Sequence, residues 1–230
     1  MLIKRLLCSL LVLSFAGGWP VSTASAQWIN GRWVYPFKYF ATDTVARRPY
    51  SATDKGLALS DWRIHSLPIN HKGMNITATL RPDGSSWAYR WIAIWHCEIS
   101  DVWRTPGYHT DFIRICGGGN RQDVPTSVLL QDIDIHDGQG IPILIQDGQY
   151  DKITLRDVRV RNTTVGVQLC AINTGYIGYV VIDNCPNIGV AVMGRPGSIG
   201  TVYVKNSPGA RVSDTMTKYG LSGAKIIRVN

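Results

Sequence analysis

Apolar and polar positions alternate in short bursts along this chain, and the bursts repeat. The pattern apolar-x-apolar-x-(Asp/Asn/His) occurs as LALSD from Leu57, IAIWH from Ile92, VLLQD from Val128 and ITLRD from Ile153. It continues as VVIDN from Val180 and VYVKN from Val202, with a weaker echo, IIRVN, from Ile226. Successive starts lie 35, 36, 25, 27, 22 and 24 residues apart. Period-two alternation predicts β-strands, because neighbouring side chains on a strand point to opposite faces. The polar fifth position predicts a bend, because a short Asp or Asn side chain bonds nearby backbone. In the first four units a second apolar pair follows the bend: Trp62/Ile64, Cys97/Ile99, Ile133/Ile135 and Val158/Val160. A third strand follows a turn, as DFIRI (Asp111 to Ile115), IPILI (Ile141 to Ile145), VGVQL (Val165 to Leu169) and IGVAV (Ile188 to Val192).

Three short strands per repeat predict an all-β chain wound as a parallel β-helix, a solenoid of about six to seven coils. One coil cannot bury its own apolar face, whereas coils stacked about 4.8 Å apart bury Val, Ile and Leu in continuous files. An antiparallel sandwich also has short alternating strands. It gives no reason for a polar bend residue to return six times at one phase. Stacking places Leu59, Ile94, Leu130, Leu155, Ile182 and Val204 in a single interior file. It also sets Arg63, Glu98, Asp134 and Arg159 in an outward file, with His65, Ser100, His136 and Arg161 in the next. Asp101, Asp137 and Asn162 lie just beyond these.

From Leu57 to about Val212 this coil pattern resembles the right-handed parallel β-helix superfamily, the pectate-lyase-like fold. The resemblance implies the fold and its handedness. It implies little about activity, because hydrolases, lyases, epimerases, adhesins and phage tail proteins share that architecture.

Outside the repeats, the chain starts with Lys4 and Arg5, an apolar run from Leu6 to Ala16, and Ala24-Ser25-Ala26. That order predicts a secretory signal peptide over residues 1–26 and an exported protein, periplasmic or extracellular. Eleven apolar residues are too few to span about 30 Å of hydrocarbon, and no later segment is long enough, so no membrane span is expected. Residues 27–56, with Trp28, Trp33, Tyr35, Phe37, Tyr39 and Phe40, read as an aromatic cap ahead of a β-helix domain over 57–230. Two insertions, Ser66 to Arg90 and Val102 to His109, interrupt the early repeats, and loops on a rigid scaffold often carry function. Without Lys4 and Arg5 the charge is 22 Lys+Arg against 16 Asp+Glu, a net +6. Such an excess suits an acidic partner, although a mild one is commonly a solubility feature. Cys97, Cys116, Cys170 and Cys185 are two or more coils from same-file partners, beyond disulfide reach, so free thiols are expected.

Candidate chemistry concentrates in two places. The first is YHTDFIR, Tyr108 to Arg114. It resembles the N-T-D-G-[FI]-D segment of polygalacturonases, which implies a catalytic role for Asp111. His109 stands where that family has Asn, and Arg114 where it has a second Asp. The family's following D-D pair reads His136-Asp137 here, and its G-H-G reads Val165-Gly166-Val167. Unchanged polygalacturonase chemistry is therefore not expected; what remains is an H-x-D at a strand start beside a long loop. Strict alternation puts Asp111 at the head of an inward file with Ile113 and Ile115, and turns Phe112 and Arg114 outward. A turn-bonding role is the competing reading of Asp111.

The second place is the outward pair Glu98 and Asp134 with His136 beside it. Adjacent carboxylates raise one another's pKa and make a proton donor. An exposed ion ladder neutralised by Arg63 and Arg159 reads the same residues without chemistry. The outward third-strand face is otherwise apolar, which calls for something to lie on it. Arg114, Gln146 and Gln168 on that face suit sugar hydroxyls or a carboxylate, and Trp95 and Trp103 suit stacking on sugar rings. No carboxylate row for calcium, phosphate loop, nucleophile elbow or zinc motif occurs, so neither a metal nor a cofactor is expected, and no nucleic-acid partner.

Two functions follow. One is a carbohydrate-active enzyme working on an acidic polysaccharide, with Asp111, His109, Asp137 and His136 as acid/base groups and Arg114, Trp95, Trp103, Gln146 and Gln168 binding substrate. The other is a noncatalytic β-helix that binds polysaccharide or another envelope component.

Overall fold

The computed structural model describes residues 27–29, 32–34, 56–65, 67, 69–77, 79–80, 87–117, 125–214 and 222–229. Residues 1–26, expected to form a signal, lie outside this set. Of the expected aromatic cap, two short strands, Gln27–Ile29 and Arg32–Val34, are described as an antiparallel pair, together with Gly56. All regular structure among the described residues is β-strand.

Two parallel sheets make up the body. The first has eight strands. Its path runs through Gly56–Ser60, Trp91–Val102, Thr126–Gly138, Gln149–Thr163, Tyr176–Asp183, Ile199–Lys205 and Lys225–Val229, with Arg63–Ile64 paired alongside Trp91–Val102. The second has six: Met74–Thr77, Asp111–Cys116, Ile141–Gln146, Val167–Ala171, Gly189–Gly194 and Arg211–Ser213. Within each sheet every strand pairs with the corresponding strand of the next repeat, an arrangement consistent with a β-solenoid.

The register matches the repeat. Leu59 pairs with Ile94, Ile94 with Leu130, Leu130 with Leu155, Leu155 with Ile182 and Ile182 with Val204. Ile94, Leu130, Leu155 and Ile182 are wholly buried, so the inward file is the spine of the main core. In the next pairing Arg228 takes the file's position beside Val204. Its guanidinium Nη2 donates to the Ala210 carbonyl at 2.8 Å.

The polar fifth position has a backbone cause. Asp61, His96, Asp132, Asp157, Asn184 and Asn206 all have positive φ, from 48° to 62°. Asp101, Asp137 and Asn162 repeat this at the second corner, with φ of 59°, 55° and 50°. The left-handed region costs most residues about 1–2 kcal/mol, and Asn and Asp tolerate it best. Each corner therefore selects its residue type, and the strand bends without leaving the ladder: Trp91–Val102 stays one hydrogen-bonded element through His96. Corner side chains also bond one another, as His96 Nδ1 to Asp132 Oδ2 at 2.5 Å and the Asn184 amide to Asp157.

The Ser66–Arg90 insertion is not simply a loop. It carries Met74–Thr77, the third strand of the first repeat, paired with Asp111–Cys116. Alternation also fails at the start of the third strand. Phe112 and Ile113 are consecutive and both wholly buried in the main core. The Phe112 ring lies over Gly138, where a Cβ would meet Val102 O at 2.5 Å and Phe112 Cζ at 2.7 Å. Phe112 is thus inward, correcting the strict alternation. Ile141, the register partner of Asp111, packs instead into a second cluster with Leu144, Cys170 and Met193. These four are all buried, whereas Arg114, Gln146, Gln168 and Ala191 on the same outer face are partly exposed.

Candidate functional site

Asp111 opens the third strand on the side of that outer cluster, and its electrostatic influence reaches Cys170 there. Its carboxyl is wholly buried, and neither Oδ1 nor Oδ2 has a hydrogen-bond partner. His109 Nδ1 stands 3.4 Å from Asp111 Oδ2, on a side chain that is half exposed. The buried Thr110 hydroxyl and the Arg114 Nε also lack partners. Three unsatisfied groups within five residues are unusual, since buried polar groups are nearly always bonded.

Burial pushes the Asp111 carboxyl up to about 7, against the opposing pull of Arg114, then Lys72, then Arg104. Removing a carboxylate from water disfavours its charged form, and here that effect outweighs three cations. Burial holds His109 below the ordinary imidazole value, helped by Arg114, Lys72 and Arg104. The arrangement is therefore a carboxyl near its titration midpoint at neutral pH, beside a neutral imidazole, inside a ring of positive charge. Perturbed carboxyls of this kind concentrate at functional sites.

Two loops bring these groups together. Asn70, with φ of 69°, accepts from the Thr105 backbone N–H at 2.8 Å and the Thr105 hydroxyl at 3.2 Å through its side-chain oxygen. Its own N–H donates to the Trp103 carbonyl at 2.8 Å. Asn70 thus ties the segment bearing Lys72 to the one bearing Arg104 and His109. Gly73 N–H donates to the Asp111 carbonyl at 3.0 Å, and a Cβ there would meet Phe112 O at 2.3 Å. Lys72 and Arg104 are members of this site that strand periodicity does not point to.

Of the substrate-binding candidates, Arg114 pairs with Asn75 and Leu144, and Leu144 with Gln168, so Leu144 separates Arg114 from Gln168. Gln146 lies between Cys116 and Cys170, and its Nε2 stands 3.6 Å from the Cys116 sulfur. Arg114, Gln146 and Gln168 share the outer face of the second sheet. Trp95 does not join them: it lies in the first sheet, beside Ser60 and Gln131. Trp103 is exposed, on the segment that Asn70 anchors.

The second group of candidates is compact. Arg63 Nε bonds Glu98 Oε2 at 2.7 Å, and Arg161 Nη2 bonds Asp134 Oδ2 at 2.8 Å. Asp134 is thus neutralised by Arg161 from the neighbouring file, where Arg159 was expected. His136 sits between two carboxylates, with Nδ1 2.7 Å from Asp137 Oδ2 and Nε2 3.4 Å from Glu98 Oε1. The Asn162 amide donates to Asp137 Oδ1 at 2.9 Å. That bond, with His136, keeps the Asp137 carboxyl below the usual range.

Arg114, Lys72 and Arg104 act on Asp111, whereas Asn162, His136 and Arg161 act on Asp137. The two carboxyls are shifted in opposite directions, Asp111 up by burial and Asp137 down by its bonds to Asn162 and His136. Cys97, Cys116, Cys170 and Cys185 are free, and burial raises the Cys97 and Cys170 thiols to about 12 and Cys185 to about 11. Among the described residues, no three or more His, Cys, Asp or Glu side chains are placed to hold a metal ion. Nor is any helix among them long and apolar enough to cross a membrane. No protein-family model, curated protein or solved structure matches the chain.

Proposed function

We propose that this is an exported protein that binds, and through Asp111 acts on, an acidic polysaccharide. We further propose that it is a right-handed parallel β-helix of the pectate-lyase-like kind, with about six to seven coils of three short strands each. The observation that carries the functional reading is the Asp111 carboxyl, buried, unbonded and raised to about 7 beside three cations and His109. A carboxyl with its pKa near ambient pH is suited to proton transfer. The surrounding positive charge suits a uronate, and Arg114 offers an unpaired Nε–H to its carboxylate.

The second reading is binding without turnover. The engagement of the Asp137 carboxylate by Asn162 and His136 favours it, because two-carboxylate glycoside chemistry needs a second acid free to act at the bond. Incubating the mature chain with a panel of uronic-acid polysaccharides, while following new reducing ends and unsaturated ends, decides between the two. Turnover that Asp111→Asn abolishes without lowering the melting temperature supports the enzyme. Retention on uronate polymers without turnover supports the binding module. Neither retention nor turnover on any polymer overturns both.

A further inference from the structure

The Asp111 site holds one buried acid among cations that would also attract an incoming anion. Facing it are Lys72 from the segment before the Met74–Thr77 strand, Arg104 and His109 from the preceding loop, and Arg114 from its own strand. The neighbouring strand contributes Ile141, without charge, and Cys170 lies beyond. Two anions close together in a dry site repel strongly. Asp111 has no hydrogen bond that would hold its ionised form in place. Arg114 Nε, which belongs to one of the cations acting on Asp111, is also without a hydrogen-bond partner.

We propose that this site binds a uronate carboxylate together with one proton, taken up by Asp111 as the ligand enters. This inference rests on the acidic-polysaccharide reading above and concerns its regulation. The balance is simple. The ligand carboxylate arrives charged, ionised Asp111 accepts one proton from solvent, and the site gains no net charge. Arg114 then bonds the ligand, and the neutral Asp111 carboxyl becomes a donor where the carboxylate could only accept. His109 is neutral in this range, because its imidazole is held below the ordinary value. Asp111 is therefore the group assigned the proton, and Asp111→Asn isolates its share of the linkage.

Linkage fixes the sign. Uptake of a proton on binding means that affinity falls as pH rises through the carboxyl's value in the free protein. With that value at about 7, affinity for a uronate oligomer drops roughly eightfold between pH 6.5 and 8.

The test is calorimetric titration of the mature chain with a four-residue uronic-acid oligosaccharide, and with its carboxyl-reduced neutral counterpart. At pH 7.5 the heat is measured in phosphate and in Tris, whose ionisation enthalpies differ. A buffer-dependent heat equal to most of one proton, an affinity falling several-fold by pH 8, and Asp111→Asn binding with no uptake and a flat profile support the proposal. Uronate binding with equal heats in both buffers overturns it while leaving the acidic-polysaccharide reading intact. So does an Asp111→Asn profile that keeps the wild-type slope. Failure of the uronate oligomer to bind at pH 6 and pH 8, or equal binding of the neutral one, overturns that reading and this inference together.

Discussion

Asn184 donates its side-chain amide to the carboxylate of Asp157, one repeat away, while both residues hold left-handed backbone. The corner is thus secured twice, by a residue type that tolerates positive φ and by a bond to the corner beneath it. Asn184→Ala loses both and is expected to cost about 1–2 kcal/mol. Asn184→Gly keeps the backbone conformation and loses only the bond, so it should cost less than Ala. Urea unfolding of the two variants measures the difference; an Ala variant as stable as the Gly one contradicts a strained corner.

Asp111 makes stability depend on pH in an unusual direction. In the folded chain its carboxyl stays protonated up to about 7, whereas unfolded it ionises near 3.8. Between those values the folded state holds one more proton than the unfolded state, so stability falls as pH rises. The slope is at most about 1.4 kcal/mol per pH unit from this group. Melting temperatures of the wild type and Asp111→Asn between pH 4 and 8 check it. The variant is expected to gain relative to the wild type toward pH 7, and parallel curves contradict the buried, ionisable carboxyl.

Gln146 stands between Cys116 and Cys170 in consecutive strands. Neighbouring strands lie about 4.8 Å apart, within disulfide range, whereas two steps exceed it. Oxidised Gln146→Cys is therefore expected to show a cross-link from position 146 to Cys116 or Cys170, found by peptide mass mapping. The wild type should show no Cys116–Cys170 link. A wild-type link, or an uncross-linked variant, contradicts the register.

Val167 is wholly buried between sheets. Val167→Asp places an unpaired charge in that core and is expected to prevent folding, read as loss of the β signal in circular dichroism or as insoluble protein. A soluble variant with the wild-type spectrum contradicts the inward assignment of this strand.

The inward file was legible because each burial position needs an aliphatic residue, and alternation marks those positions directly. The corners were legible because positive φ restricts the residue to types such as Asp, Asn and His. Two features escaped. The first repeat's third strand, Met74–Thr77, offers only Met74 and Ile76 as signal, inside an insertion with no repeat phase. Phe112 and Ile113 both face the core because Gly138 leaves room for the ring, and a spacing argument cannot see that vacancy. The same local irregularity carries Asp111 toward the outer cluster. His109, Asp111 and Arg114 were found by their local motif, but Lys72 and Arg104 come from segments whose fold the repeat does not determine. Asn70, a loop residue without a periodic partner, ties the segment bearing Lys72 to the one bearing Arg104 and His109.

Where every earlier strand of the file offers an aliphatic side chain, Lys225–Val229 offers Arg228. Its guanidinium is engaged with the Ala210 carbonyl. Any strand stacked beyond it would meet a hydrogen-bonded cation where the greasy spine should continue, and would have to strip water from that charge to extend it.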